Sequence, residues 1–271
     1  MSLLLSIITV NLNNASGLQK TIKSVVEQDI DQVEFIVIDG NSNDGSLLLL
    51  QQYQNNIAYW VSEIDEGIFH AMNKGLAWAK GQYCLFLNSG DWLVDNCLTE
   101  LKLFLQSRSE DILYGNTYLH YESGLYQPHT YPNKLSMRFF FRATIGHQST
   151  FTKTQVLKNY GGYDTKLKVH GDYDFWLKSI VNDNCSYFHI PVFVSYYDMS
   201  GISANLTKES LAEHQMVIER YLTPLVLADY MVWQHEESTL EIMKWYQRQP
   251  VLFFALTYFY KALNKVFKLM Q

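Results

Sequence analysis

The nine residues Tyr83-Cys84-Leu85-Phe86-Leu87-Asn88-Ser89-Gly90-Asp91 join an apolar segment to a short polar tip that ends in an acid. Residues 83–87 have the length and composition of a buried β-strand, whereas residues 88–91 are small and polar. Earlier in the chain, the apolar run at residues 35–38 ends in the same way at Asp39. Because ligands of open α/β sheets bind outside the carboxyl ends of the strands, the two tips predict a ligand site at one sheet edge.

Length and composition describe a globular chain. Its 271 residues are 48% hydrophobic and 18% charged, which suits one large domain, or one domain with a helical tail, and not a disordered chain. The net charge of −6 argues against a nucleic-acid binder, which would usually present a basic face. Three cysteines without close pairing predict reduced, cytosolic thiols. The apolar start at residues 3–10 lacks a basic flank, so it predicts a buried strand and not a signal peptide.

The order of the predicted elements indicates an α/β fold. Through residues 1–110, strand-like runs alternate with helical patterns across short loops, which predicts a mostly parallel sheet with right-handed crossovers. The pattern loosens into shorter strands over residues 111–205. We therefore expect one α/β domain over residues 1–205, made of these two halves, followed by a helical extension over residues 206–271.

Six segments of the chain, taken in order, resemble the inverting glycosyltransferases of family 2. The segments are residues 7–11, 24–28, 34–45, 62–75, 85–91 and 171–176. Each is weak alone, but six in matching order and spacing are specific for the family, though not for a substrate. The resemblance implies the GT-A fold, a Rossmann-like mixed sheet flanked by helices. It also implies that residues 1–110 bind the nucleotide sugar and that residues 111–205 hold the acceptor and the catalytic base.

The resemblance assigns donor-binding roles in the first half. Thr9, Asn11 and Asp39 would line the pocket for the nucleoside of the donor. Asp65 and Lys74 would lie along the same edge, with Lys74 near the phosphates as a compact cation. Plainer explanations stand beside these roles. Asp39 begins a polar turn, Asp65 precedes a helix whose dipole favours an acid, and Lys74 is also explained as a solvated helix lysine.

The tip at residues 88–91 takes the place of the family's Asp-x-Asp motif, whose carboxylates hold Mg²⁺ or Mn²⁺ against the diphosphate. This chain departs from the motif, because Asn88 and Gly90 stand where the two aspartates are usual and Asp91 follows one residue later. The resemblance therefore predicts Asn88 and Asp91 as metal ligands, with Asn88 also in contact with the nucleotide sugar. A tight turn that caps the next helix is the alternative.

The predicted general base is Asp172, at the start of a helical pattern, where Gly171 replaces the glutamate that usually precedes the family's catalytic aspartate. A carboxylate there can take the proton of the acceptor hydroxyl. The same residue is also explained as a helix N-cap, and Asp174 is its nearest competitor. His147 and Trp176 are predicted on the acceptor side, although a structural role explains His147 equally well and a tryptophan such as Trp176 in an amphipathic helix is more often part of the core.

The C-terminal segment has its own pattern. Residues 251–260 are apolar, far short of the roughly 20 residues that a spanning helix needs. Lysines follow at positions 261, 265 and 268. The pattern predicts that residues 250–270 contact the cytoplasmic face of a membrane. The alternative is a helix that packs on the domain or on a second subunit, in which case the protein would be an oligomer.

The expected function is inverting transfer of a hexosyl or N-acetylhexosaminyl group from a nucleotide sugar, with UDP favoured. The acceptor would be a hydroxyl of a glycan or a lipid-linked acceptor in surface polysaccharide or lipopolysaccharide biosynthesis. A GT-A domain that has lost activity and binds a nucleotide sugar or a partner is the alternative; Asp39, Lys74 and Asp172 argue against it. A nucleotidyltransferase would be expected to show a glycine-rich loop after the first strand, which residues 11–14 do not provide.

Overall fold

The computed structural model describes residues 3–201 and 207–270. The chain forms two compact units, Met1–Tyr221 and Leu222–Gln271. The first unit extends past the boundary predicted at residue 205 and includes a helix that the sequence pattern assigned to the extension.

The first half of unit one alternates strands and helices as predicted. Its elements are β1 (Leu5–Asn11), α1 (Ala15–Val26), β2 (Val33–Asp39), α2 (Ser46–Gln52), β3 (Tyr59–Ser62), α3 (Ile68–Trp78) and β4 (Tyr83–Phe86). All seven residues of β1 are buried, as in a strand that is covered on both faces. Helix α3 packs closely on this strand, since a Cβ at position 75 would clash with Ile8 Cγ2 and only glycine permits the approach.

The remaining elements are less regular. They are β5 (Trp92–Leu93), α4 (Cys97–Ser107), β6 (Ile112–His120), β7 (Tyr126–His129), α5 (Met137–Phe140), a 3₁₀ turn (His147–Ser149), β8 (Thr150–Lys153), α6 (Thr154–Asn159), α7 (Gly171–Trp176), a π-helical turn (Leu177–Asn182), β9 (Tyr187–Asp198) and α8 (Lys208–Tyr221). Unit two consists, in its described residues, of α9 (Pro224–Gln247) and α10 (Pro250–Met270).

The strands of the described residues form one mixed sheet in the order β3-β2-β1-β4-β8-β6-β9-β5, with β7 paired to β6. Strands β1 to β4 are parallel, while β8 is antiparallel to both β4 and β6. Strand β9 is parallel to β6, and β5 is antiparallel to β9. The predicted α/β class with a Rossmann-like first half is therefore confirmed.

The carboxyl ends of β2, β1 and β4 lie side by side. Asn11 and Asp39 are opposite each other in the register of β1 and β2. Beyond the end of β4 the chain still follows β1, because the Leu87 amide donates to the Ile8 carbonyl (2.9 Å) and the Ser89 amide donates to the Val10 carbonyl (3.1 Å). This edge carries the polar tips that the sequence singled out.

Candidate active site

Asp39 is the centre of a hydrogen-bonded turn at the end of β2. Its Oδ1 accepts from Asn11 Nδ2 (2.7 Å) and Ser42 Oγ (2.6 Å), and its Oδ2 accepts from the Ser42 amide (2.9 Å) and Ser62 Oγ (2.6 Å). The carboxylate is buried, so these donors replace its hydration. Among the described residues, the amide oxygen of the buried Asn11 has no hydrogen-bond partner. That oxygen is a buried acceptor without a partner at this edge.

Thr9 is predicted to line the nucleoside pocket but lies inside the sheet. Its side chain is fully buried, and its hydroxyl donates to the Leu87 carbonyl at 2.7 Å. The Thr9 side chain therefore joins β1 to the segment after β4 and does not open onto a pocket, contrary to the prediction. Because β1 is covered on both faces, the Thr9 hydroxyl has no access to solvent.

Asp65 does reach the predicted edge. Its Oδ1 accepts from the Gly67 amide at 2.9 Å, in the turn before α3. A Cβ at Gly40 would stand only 2.7 Å from Asp65 Oδ2, so glycine at position 40 permits the loop after β3 to approach the loop after β2. The two tips thus converge at the end of the sheet.

Lys74 is held by the same loop. Its ammonium pairs with Glu63 Oε1 at 2.8 Å and donates to the Ile64 carbonyl at 3.0 Å, with 20% of the side chain exposed. Lys74 therefore lies beside the loop after β3, and its charge is directed to Glu63 in this structure. Lys74 would have to leave that partner to reach a phosphate.

The tip at residues 88–91 is tied to α1. Gly90 has a φ of +108°, and its amide donates to Thr21 Oγ1 at 3.1 Å. The Thr21 hydroxyl in turn donates to the Asp91 carbonyl at 2.6 Å. A side chain at position 90 would be strained in this backbone conformation, which is a physical reason for glycine where the family motif has an acid.

Asp91 is enclosed by protein. One of its carboxyl oxygens accepts from the Asp198 amide at 3.0 Å, and only 5% of the residue is exposed. Burial raises the pKa of Asp91 to about 7, although His147 and this hydrogen bond act in the opposite direction. An acid in such surroundings changes charge readily near neutral pH, which is a frequent property of functional sites.

Asp198 brings a second carboxylate to the tip, and the sequence interpretation missed it. It is the last residue of β9, and Ser200 donates to its Oδ1 from the amide (3.0 Å) and the hydroxyl (2.8 Å). A Cβ at Gly90 would stand 3.6 Å from Asp198 Oδ2. The carboxylate therefore lies beside the position where the family motif places its acid. The sequence did contain a signal for this residue, since an acid at the end of a strand-like run, followed closely by small residues, resembles the tips after β2 and β4.

Lys20 of α1 is a further residue that the sequence interpretation missed. Its ammonium lies 3.1 Å from the centroid of the Trp92 ring, one residue beyond the tip. Burial lowers the pKa of Lys20, while the nearby Asp198 carboxylate raises it. A cation therefore stands close to the acids of the tip.

His147 lies between the tip and α7. Its Nδ1 is 3.1 Å from the Phe86 carbonyl, which can only accept, so this nitrogen carries the proton. Its Nε2 is 3.5 Å from Asn88 Nδ2, and among the described residues the buried Asn88 Oδ1 has no partner. The charge of His147 lowers the pKa of both Asp91 and Asp172, which places the imidazole near both carboxyl groups.

Asp172 occupies the first turn of α7, as predicted. Its Oδ1 accepts from the Tyr173 amide at 2.8 Å, and the residue is partly exposed. Burial raises the pKa of Asp172, and the charges of His147 and His170 act against this rise. A raised pKa brings a carboxylate closer to the basicity that a general base needs.

The two other candidates on α7 are structural. Asp174 is buried, and its Oδ1 accepts from Arg220 Nη1 (2.9 Å) and from the Tyr221 hydroxyl (3.0 Å), so it joins α7 to α8. Trp176 is 1% exposed, and its indole donates to the Ile145 carbonyl at 3.2 Å. The prediction that Trp176 faces an acceptor is therefore corrected: both faces of its ring are inside the protein.

The acids and amides at the tip suit an oxygen-bound cation whose other ligands come from outside the chain. Asn88 supplies an unpartnered amide oxygen, and Asp91 and Asp198 supply carboxylates. Within residues 3–201 and 207–270, no three His, Cys, Asp or Glu side chains form a metal-binding group by themselves. Mg²⁺ commonly binds in this way, through one or two carboxylates together with substrate phosphates.

The mixed sheet, with polar tips at the ends of its parallel strands, has the architecture of the GT-A class of transferases. Residues 6–159 match the family model described as glycosyl transferase family 2. The chain belongs to this family, which confirms the resemblance seen in its motifs.

Two bacterial relatives support the assignment. An uncharacterized glycosyltransferase of Mycobacterium tuberculosis is 31% identical over 207 residues, which are 74% of this chain and 77% of the relative. A PGL/p-HBAD biosynthesis glycosyltransferase of Mycobacterium bovis is 24% identical over 247 residues, which are 88% of this chain and 94% of the relative.

Solved structures share the fold. A fragment of S. aureus TarS in complex with UDP has a TM-score of 0.63 and 19% identity; the match covers 79% of this chain and 64% of the fragment. The mannosyltransferase PcManGT of Pyrobaculum calidifontis, in complex with GDP-Man and Mn²⁺, has a TM-score of 0.59 and 16% identity. That match covers 81% of this chain and 65% of the mannosyltransferase.

The environment of Asp91 predicts a pH-dependent stability. Between an unfolded pKa of about 4 and the folded value of about 7, the folded state keeps a proton that the unfolded state releases. The wild type should therefore lose stability as pH rises through this range, by up to about 1.4 kcal/mol for each pH unit. Asp91→Asn has no carboxyl group to titrate and should not show this loss. The free energy of unfolding of the variant, minus that of the wild type, should therefore increase from pH 4 to pH 7. Urea unfolding in the presence of EDTA measures both values.

Asp95→Asn is the matched control, since Asp95 is an exposed acid near the same tip. A difference between Asp91→Asn and the wild type that stays constant across this pH range would contradict the prediction.

Proposed function

We propose that the chain catalyses inverting transfer of a sugar from a nucleotide sugar, with UDP as the favoured nucleotide, to a hydroxyl of a glycan or lipid-linked acceptor. The observation that carries the proposal is Asp172, a partly exposed carboxylate with a raised pKa that lies near His147 at the start of α7. The relative named for PGL/p-HBAD biosynthesis supports a role in building a surface glycan or glycolipid. The UDP complex of TarS supports the choice of nucleotide.

In the proposed reaction, Asp172 accepts the proton of the acceptor hydroxyl. The hydroxyl oxygen forms a bond to the anomeric carbon while the bond from that carbon to the diphosphate oxygen breaks. The nucleoside diphosphate leaves with the bonding electron pair, and attack from the opposite side inverts the anomeric configuration. His147, whose Nδ1 donates to the Phe86 carbonyl, lies near both the base and the acidic tip.

The carboxyl ends of β1, β2 and β4 form the edge that would hold the nucleotide sugar, the donor edge. The unpartnered Oδ1 of Asn11 would accept from the nucleoside once it is uncovered, and Lys20 or a released Lys74 would face the diphosphate. A divalent cation held by Asn88, Asp91 and Asp198 would supply positive charge against the leaving diphosphate. The resident groups fit such an ion because they are oxygen donors with an unpartnered amide among them.

The role of Asp172 can be tested by replacing its carboxylate. Asp172→Asn should lower nucleoside diphosphate release by a factor on the order of 10²–10⁴, because the amide cannot take a proton. Donor affinity should stay nearly unchanged, since the donor edge belongs to β1, β2 and β4. Product release and isothermal titration with the donor measure the two effects.

Asp174→Asn is the matched control on the same helix. It should keep most of the turnover while lowering thermal stability, because it weakens the ion pair with Arg220. Equal losses of turnover and donor affinity in Asp172→Asn would make Asp172 a structural residue and overturn the proposed base.

The donor and the metal can be identified together by thermal unfolding. UDP, UDP-GlcNAc, other UDP-sugars and GDP-Man should be compared with Mn²⁺ and with EDTA. We expect a UDP-sugar with Mn²⁺ to raise the melting temperature by several degrees, because binding to the folded state stabilises it by mass action. Asp198→Ala should reduce the Mn²⁺-dependent part of the shift, whereas Asp183→Ala, an exposed acid, should not.

The absence of a shift with every nucleotide would favour a GT-A domain without transferase activity. A shift of equal size in EDTA would show that the tip holds the diphosphate without a metal ion.

We also propose that α10 lies on an anionic membrane surface. An apolar stripe repeats at Leu252, Leu256, Phe259, Leu263 and Val266, and the lysines at positions 261, 265 and 268 occupy the other side of the helix. Residues 250–270 contain no acid, whereas the whole chain has a net charge of −6. Phe259 and Val266 of the stripe are 62% and 53% exposed. Over the described residues, no helix has both the length and the hydropathy to cross a membrane.

Vesicle sedimentation tests this contact. The chain should sediment with vesicles that contain anionic phosphatidylglycerol and much less with pure phosphatidylcholine. Replacing the three α10 lysines by Gln should weaken binding roughly 100-fold at low salt, at about 1 kcal/mol for each lysine. Gln at Lys80, Lys166 and Lys208, exposed lysines elsewhere, removes the same charge and should have little effect. Equal binding to both vesicle types would contradict the proposal.

A further inference from the structure

The loop before α7 is held by one carboxylate from another helix. Glu213 of α8 accepts three consecutive backbone N–H groups: Oε2 accepts from Lys168 (2.8 Å), and Oε1 accepts from Val169 (2.8 Å) and His170 (2.7 Å). These N–H groups belong to the N-cap His170 and to the two residues before it, so a carboxylate that accepts from all three determines how the chain enters α7. Asp172 follows this loop by two residues.

Glu213 is bound as an anion. Burial alone would raise its pKa, but the three backbone hydrogen bonds and the charge of His170 lower it below the usual value. Because one carboxylate holds three successive peptide groups, its removal would release the whole loop and not a single contact.

Other side chains of α8 reach the residues on both sides of Asp172. Ser210 Oγ lies 3.1 Å from His170 Nε2, and the His214 ring stacks on Tyr173 with centroids 4.7 Å apart. Arg220 and Tyr221 bind Asp174, as described above. The Asp172 side chain accepts from the Tyr173 amide, so α8 would act on it chiefly through the loop that Glu213 holds.

We propose that Glu213 is a positioning residue that sets the place of the Asp172 carboxylate relative to the acceptor hydroxyl. The inference rests on the proposed role of Asp172 as general base. A displacement of about 1 Å at a reacting group can lower turnover about 10²-fold. The donor edge belongs to strands that Glu213 does not contact, so donor binding should be independent of it.

The test compares Glu213→Gln, Glu213→Ala and Glu219→Ala. The glutamine keeps one carbonyl acceptor for part of the loop and the alanine keeps none, while Glu219 is an exposed acid on the same helix. The assay is UDP release from UDP-GlcNAc with water as the attacking hydroxyl, or release from the nucleotide sugar that gives the largest melting shift. We expect kcat to fall about 10-fold in Glu213→Gln and about 100-fold in Glu213→Ala, with KM for the donor within two-fold and Glu219→Ala unchanged.

A double-mutant cycle with Asp172→Asn separates positioning from general destabilisation. If Glu213 acts through Asp172, Glu213→Ala should have no further effect on the residual turnover of Asp172→Asn. Circular dichroism melting and donor titration give the folded fraction of each variant. Independent, multiplicative losses in the cycle, or a fall in kcat that only follows the folded fraction, would overturn the inference.

The two proposals fail in different ways. Wild-type turnover in Glu213→Ala together with an inactive Asp172→Asn would reject the positioning role alone. Full turnover in Asp172→Asn would reject the proposed base itself.

Discussion

The parallel pairing of β2, β1 and β4 is the constraint on which the site depends. These strands are buried, so their peptide groups must pair with one another, and their parallel direction brings all three carboxyl ends to one edge. The pairing of the strands therefore brings the polar side chains that follow them to one edge, and contacts between those side chains are not needed for this. The hydrogen bonds of Asp39 and of the tip at residues 88–91 then hold two loops that would otherwise carry unpaired buried groups.

The acidic tip shows how a departure from a motif is accommodated. Gly90 takes a backbone conformation that disfavours a side chain, and β9 delivers Asp198 to the adjoining space. Burial then raises the pKa of Asp91 to about 7, because the surrounding protein disfavours the charged form of the carboxyl group. A buried carboxyl group beside a second, partly exposed carboxylate lowers the stability of the fold, and such acids occur frequently at functional sites.

Much of the edge could be predicted from local patterns. Asp39, Asp65 and Asp172 follow strands or begin helices, so their approximate places depend on neighbouring residues in the chain. The direction of a side chain was harder to predict. Thr9 and Trp176 are in the predicted elements, yet both face the interior and donate to carbonyl groups. Lys74 lies beside the loop after β3, and the position of Glu63 decides where its ammonium points.

The sequence alone determined the alternation of strands and helices, the polar tips and the family, because these properties depend on residue type and on spacing along the chain. Only the tertiary structure decided which distant residues complete the site. Asp198 reaches Gly90 through the pairing of β9 with β5 and β6, and Glu213 reaches the loop before α7 through helix packing. Such contacts join residues far apart in the chain, and no local pattern specifies them. The strand tip at residues 88–91 is therefore readable in the sequence, whereas its second carboxylate is visible only in the fold.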